Sequence, residues 1–78
     1  VNTQAPRLPL SPIKSSHLAA VGYDPATNTL DVKFANGGKT YRYHGVPPHL
    51  HHDLMSAKSH GNFFFSAIRG RFRHSELT

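Results

Sequence analysis

Polar and apolar residues alternate through the middle of this chain. Leu30, Val32 and Phe34 are separated by Asp31 and Lys33, the period-two pattern of a strand with one buried face. Asn36-Gly37-Gly38 follows, three residues that tolerate the positive φ a tight hairpin needs. The alternation then resumes, with Tyr41 and Tyr43 on one side and Thr40, Arg42 and His44 on the other. Residues 28–46 therefore predict an antiparallel hairpin at the centre of the domain. Upstream, residues 15–23 mix small and apolar side chains and read as a further strand. Asp24-Pro25-Ala26-Thr27-Asn28 joins it to the hairpin through turn-forming residues. The result is a three-stranded antiparallel meander.

Past Gly45 the period changes. Pro47 and Pro48 suit a first helical turn, where a missing N–H costs nothing. Leu50 and Leu54, four apart, with Ala57 three further on, give a short amphipathic helix over residues 49–57. Ser59 is placed to cap a second helix over residues 60–69. Its Phe64/Ile68 and Phe63/Ala67 spacings predict heavy burial, and Gly70 stands where helices stop in the left-handed region. The predicted core is Val46, Leu50, Leu54 and Ala57 packed on Leu30, Val32 and Phe34. Pro6, Pro9 and Pro12 recur every third residue and favour an extended path, so residues 1–14 read as a disordered tail. Residues 71–74 can add an extended arm, and 75–78 fray. The expected fold is α+β, in the order βββαα, with a single domain over residues 15–74.

Size and charge narrow the function. A chain of 78 residues buries only about 60% of its unfolded surface. With no cysteine it has neither disulfides nor a thiolate metal site, which fits a reducing cytoplasm and leaves room for a homodimer. Nine Lys and Arg against four acids, net +5, favour a polyanionic partner, nucleic acid before lipid. No apolar run is long enough to cross a bilayer, and prolines interrupt the one apolar patch near the start, so neither a membrane partner nor a signal peptide is expected. The chain opens on Val rather than Met, which reads as processing or trimming.

The basic residues cluster. Between Val32 and Arg73 the one acid is Asp53, against Lys33, Lys39, Arg42, Lys58, Arg69, Arg71 and Arg73. Arg69, Arg71 and Arg73 recur every second residue. In an extended segment they would line one side at intervals of about 6.6 Å, a row suited to a phosphate backbone. Helical geometry would fan them apart. Arg42 is expected to face solvent opposite Tyr41 and Tyr43, beside Lys33 if the hairpin register makes them neighbours. The two tyrosines can stack on bases, but aromatic residues at period two in a strand more often belong to the core. The nucleic-acid reading requires these cations to gather into one patch, free of Asp24, Asp31, Asp53 and Glu76.

Other chemistry has less to stand on. His44, His49, His51 and His52 lie close in sequence, but their spacing matches no established ligand pattern, so no metal or other cofactor is expected. As surface imidazoles they would gain charge in acid and strengthen anion binding. There is no Ser–His–acid order, glycine-rich phosphate loop or carboxylate pair, so an enzyme is not expected. A small ribonuclease using His44 with Arg42 is the remaining catalytic option. The non-catalytic rival is an assembly module pairing through a sheet edge or an exposed face.

The succession SSHLAAVGYDPATNTLDVKF, NGGKTYRYHGVP, then Ser59, Gly61, Phe63, Phe64 and Ile68-Arg69-Gly70 resembles the KTSC domain family over residues 15–72. That family is named for its place at the C-terminus of some lysyl-tRNA synthetases, and it also forms small free-standing bacterial proteins. Its Y-x-Y centre is similar to Tyr41-Arg42-Tyr43 here. His49–His52 departs from the family pattern, which tends to carry tyrosine or acidic residues there. This argues against a family-wide histidine site. RNA binding has been suggested for the family, so the resemblance implies nucleic-acid association in a bacterial cytoplasm. Together the readings point to a basic, non-catalytic DNA- or RNA-binding protein, as a monomer or homodimer.

Overall fold

Residues 8–77 are described by a computed structural model. In chain order the strands and helices are β1 (Ser11–Pro12), β2 (Leu18–Asp24), β3 (Thr29–Phe34), β4 (Thr40–His44), α1 (Pro48–Ser56), α2 (His60–Phe63) and β5 (His74–Glu76). The five strands form one antiparallel sheet in sequence order. Its centre is the expected meander: Val21 lies opposite Val32 and Val32 opposite Tyr41, while Tyr23, Leu30 and Tyr43 form the neighbouring row. The turns use the residues the sequence offers. Asp24 Oδ1 accepts from the Ala26 N–H at 3.0 Å, Asn28 takes φ 54°, and Gly37 and Gly38 take φ 85° and 68°.

Two strands join the three predicted, both at the margins. Ser11-Pro12, inside the stretch read as a tail, pairs with Val21 and Ala20. Residues 1–7 of that stretch lie outside the described residues. His74–Glu76 pairs with Tyr41–Tyr43, so the arm foreseen after Gly70 extends into the stretch expected to fray. Leu77 N–H to Thr40 carbonyl, 2.8 Å, and His44 N–H to Arg73 carbonyl, 2.9 Å, hold that arm at both ends.

One face of the sheet carries the helices. Leu18, Val21, Leu30, Val32 and Tyr43 are buried against Val46, Leu54, Phe64 and Ile68. Leu50 and Phe34 are half-buried at the margin of this core. The Ser59 hydroxyl caps α2 by accepting from the Asn62 N–H at 3.2 Å, as its position predicts. The helix beyond it departs from the expected single α-helix: Phe64–Ile68 forms a wider π turn, closed by Arg69 N–H to the Phe64 carbonyl at 2.9 Å. Gly70 at φ 81° ends it. A Cβ on Gly61 would lie 2.9 Å from the His17 ring, so only glycine lets α2 approach the start of β2 this closely. Among the described residues, no helix is long and apolar enough to cross a membrane.

The other face is covered by the chain leading into β1. Gly22, Asp31 and Arg42 stand side by side on neighbouring strands, and residues 8–10 cross directly over Gly22. A Cβ on Gly22 would sit 2.5 Å from the Pro9 carbonyl oxygen. This strap covers the middle of a face that alternation alone leaves open to water, while Lys33 and His44 on the same face stay exposed.

Candidate functional site

Asp31, which the strap reaches through Leu8, decides the fate of Arg42. Its Nε donates to Asp31 Oδ1 at 2.8 Å and its Nη2 to Asp31 Oδ2 at 2.9 Å, and the two residues are only 4% and 1% exposed. The Leu8 N–H reaches the same carboxylate at 3.5 Å. A guanidinium in such a place needs a hydrogen-bonded counterion, and Asp31 supplies it. Those bonds hold Arg42 above its ordinary pKa, against the opposing pull of burial. The expectation of a solvent-facing Arg42 beside Lys33 is therefore corrected. The register places it opposite Asp31, with its guanidinium buried in that ion pair rather than facing solvent.

The remaining predicted residues separate. Tyr43 belongs to the core, 3% exposed, so it is not a platform for a base. Burial raises its phenol pKa; the nearby Arg69 charge pulls the other way, and Tyr41 adds to the rise. Tyr41 is only half-buried. Lys39 pairs with Glu76 at 3.5 Å on the exposed edge. Lys33 and Lys58 are exposed. The extended row of Arg69, Arg71 and Arg73 does not form, because Gly70 turns the chain and Arg71 N–H bonds back to the Ile68 carbonyl at 3.1 Å. All three arginines stay exposed: Arg69 lies over the Phe65 ring, 5.3 Å from its centroid, and Arg71 Nε donates to the Ser66 carbonyl at 3.3 Å.

Where the π turn ends, an open cleft of about 1010 Å³ runs along the helix-bearing face toward β5. Phe34 and Tyr41 line it from the sheet, and Phe65 and Arg69 from the π turn. His17 and His74 complete it from opposite ends of the chain. Their rings are positioned by packing. His17 meets Phe65 edge-on at 5.5 Å, and His74 lies against Tyr43 at 5.4 Å and Tyr41 at 5.8 Å. The His17 backbone is fixed too, its N–H on the Ser15 hydroxyl and its carbonyl accepting from Ala35 at 2.9 Å.

No carboxylate lines this cleft. Among the described residues, the Tyr41 hydroxyl, both imidazoles and the Arg69 guanidinium make no hydrogen bond or ion pair within the protein. Some polar rings elsewhere are engaged: the Tyr23 hydroxyl donates to the Val46 carbonyl, His60 Nδ1 meets the Leu54 carbonyl at 2.8 Å, and His44 meets Ser75 at 3.2 Å. Flat apolar walls, one permanent cation and unspent hydrogen-bonding groups suit a planar, anionic ligand. No three His, Cys, Asp or Glu among the described residues come together as a metal site; His51 instead stacks on Tyr23, 4.5 Å apart at 7°.

Sequence reasoning named Tyr41 and Arg69 but missed Phe65, His17 and His74. The four-residue spacing of Phe65 and Arg69 is the one local signal that pointed to a pair.

The sequence pattern of the KTSC domain matches residues 14–72. A protein of Tsukamurella paurometabola is 44% identical over 64 residues, which cover 82% of this chain and 94% of that protein. A lysine–tRNA ligase of Nostoc sp. is 34% identical over 70 residues, covering 90% of this chain but 12% of the ligase. Among solved structures, a KTSC domain protein from Yersinia pestis superposes with a TM-score of 0.87 at 38% identity, covering 92% of this chain and 100% of that one.

Proposed function

This chain belongs to the KTSC domain family, and from that premise we propose that it is a non-catalytic nucleic-acid-binding domain working through the cleft and the arginines beside it. The observation that carries the reading is the convergence of Arg69 with aromatic walls in a cleft that no carboxylate lines. Arg69, Arg71 and Arg73 meet phosphates. Lys39 contributes less, since Glu76 already holds it. Lys33 and Lys58 add to the long-range field. The net charge of +5 favours the same partner, and similarity to a segment of lysine–tRNA ligases supports an association with RNA. The cleft is built by one chain, so the reading holds for a monomer and for a homodimer. Edge-to-edge assembly is the weaker reading, because β1 and β5 are short, exposed and carry Pro12 and Glu76, features that blunt strand pairing.

The test is the salt dependence of binding to a labelled oligonucleotide. Contacts to three or four phosphates give a slope of log K against log salt of roughly −2 to −4. Replacing Arg69, Arg71 and Arg73 together by Ala should flatten the slope and weaken binding, with the circular dichroism spectrum unchanged. An affinity that ignores both salt and this triple substitution would move the working surface elsewhere.

A further inference from the structure

We infer that the cleft is a stacking site for unpaired bases, so that the domain's ligand is single-stranded nucleic acid rather than duplex. The inference rests on the nucleic-acid reading above and narrows it. Phe34, Tyr41 and Phe65 pack against the core yet remain only half-buried, leaving ring surface at the cleft. A surface made for phosphates alone has no use for that apolar area, which water disfavours. A duplex offers phosphates and base edges, its base faces being already stacked. An unpaired base offers a whole face, which aromatic rings take up with little regard for sequence.

Arg69 sits where the two chemistries meet. One face of its guanidinium lies over Phe65, leaving its N–H groups for a phosphate or its other face for a base. Asn36 at the cleft margin both donates and accepts, so it can serve any base edge without fixing one. The cleft is open rather than enclosed, so a strand can enter and leave it along its length.

The experiment compares a labelled single-stranded RNA with the blunt duplex of the same sequence, by fluorescence anisotropy at fixed salt. A strand of roughly ten nucleotides falls within the usual single-strand site sizes. The full chain should bind the single strand about tenfold or more tightly than the duplex, the effect of one or two stacked bases. Phe65→Leu and Tyr41→Leu should each lower single-strand affinity about fivefold or more and leave duplex affinity within about twofold. Equal wild-type affinities, or folded variants with undiminished single-strand binding, would overturn the inference while leaving the nucleic-acid reading in place. A wild-type chain that binds neither probe overturns both. Independently of whether the variants fold, titrating the wild-type chain with the single strand should shift the ring resonances of Tyr41, Phe65 and His74. Shifts confined to other residues would also overturn the inference.

Discussion

The two faces of the sheet treat arginine in opposite ways. On the strap side Arg42 is enclosed, held by both oxygens of Asp31, with residues 8–10 crossing the neighbouring Gly22. On the helix side Arg69 stays exposed, its guanidinium resting on the Phe65 ring with no carboxylate in the cleft it borders. Both are long basic side chains near the same strands, so composition cannot tell them apart. Coverage and partner decide. A face closed over a charge must supply the opposite charge, and that charge is then spent on the fold. An open aromatic margin leaves its cation for a ligand.

The sharpest way to break this contrast is Arg42→Met. It strands the Asp31 carboxylate under the strap, and removing one partner of a buried pair costs about 3–5 kcal/mol. A domain of this size commonly has about 5–15 kcal/mol in total, so urea denaturation should show a variant near the edge of folding. Adding Asp31→Leu should recover much of the loss, because the uncompensated charge goes with it. A single variant as stable as wild type would mean that water reaches the pair and that Arg42 belongs with the exposed cations.

Gly22→Ala tests the strap itself. The new methyl would meet the Pro9 carbonyl oxygen at 2.5 Å and Leu10 Cδ2 at 3.1 Å. The first of these is backbone, which cannot swing aside as a side-chain tip can. Overpacking of this kind costs about 1–3 kcal/mol, less than losing the ion pair. The strap should also become sensitive to limited proteolysis around residues 8–13. If stability and cleavage are both unchanged, the strap is not seated on Gly22, and the closed face loses its explanation.

These features differ in how far the sequence reveals them. The hairpin was legible because alternation and the Asn36-Gly37-Gly38 turn are local. Even the Arg42 pairing lay within reach: counting outward from that turn sets Lys33 opposite Thr40 and Asp31 opposite Arg42. What misled was the assumption that the second face meets water. The two-residue β1 has no alternation to display, and it contains a proline. Its pairing with β2 is a tertiary fact. The cleft was hidden for a similar reason. Phe65 and Arg69 are four apart, but His17, just before β2, and His74, opening β5, line the same cleft only through the tertiary fold.

The smallest expected effect concerns the far end of the helix-bearing face, which sharpens the contrast within that face. There the Tyr23 hydroxyl is tied to the Val46 carbonyl and His51 stacks on the Tyr23 ring, so this end is closed where the cleft end is open. Burial lowers the His51 pKa below its ordinary value, and neighbouring His52 pushes it the same way. The sign follows from linkage. Between the lowered folded value and the unfolded value of about 6.5, the unfolded chain binds more protons than the native one. Stability is therefore complete above that unfolded value, declines as pH falls through the window, and levels off once folded His51 is also protonated. His51→Gln should remove this part of the slope, read from urea midpoints taken at intervals between about pH 8 and pH 5. In wild type, the His51 ring resonances should titrate below those of a histidine in an unstructured peptide. Titration at or above that reference, or an unaltered slope in the variant, would mean the stacked end is as open to water as the cleft.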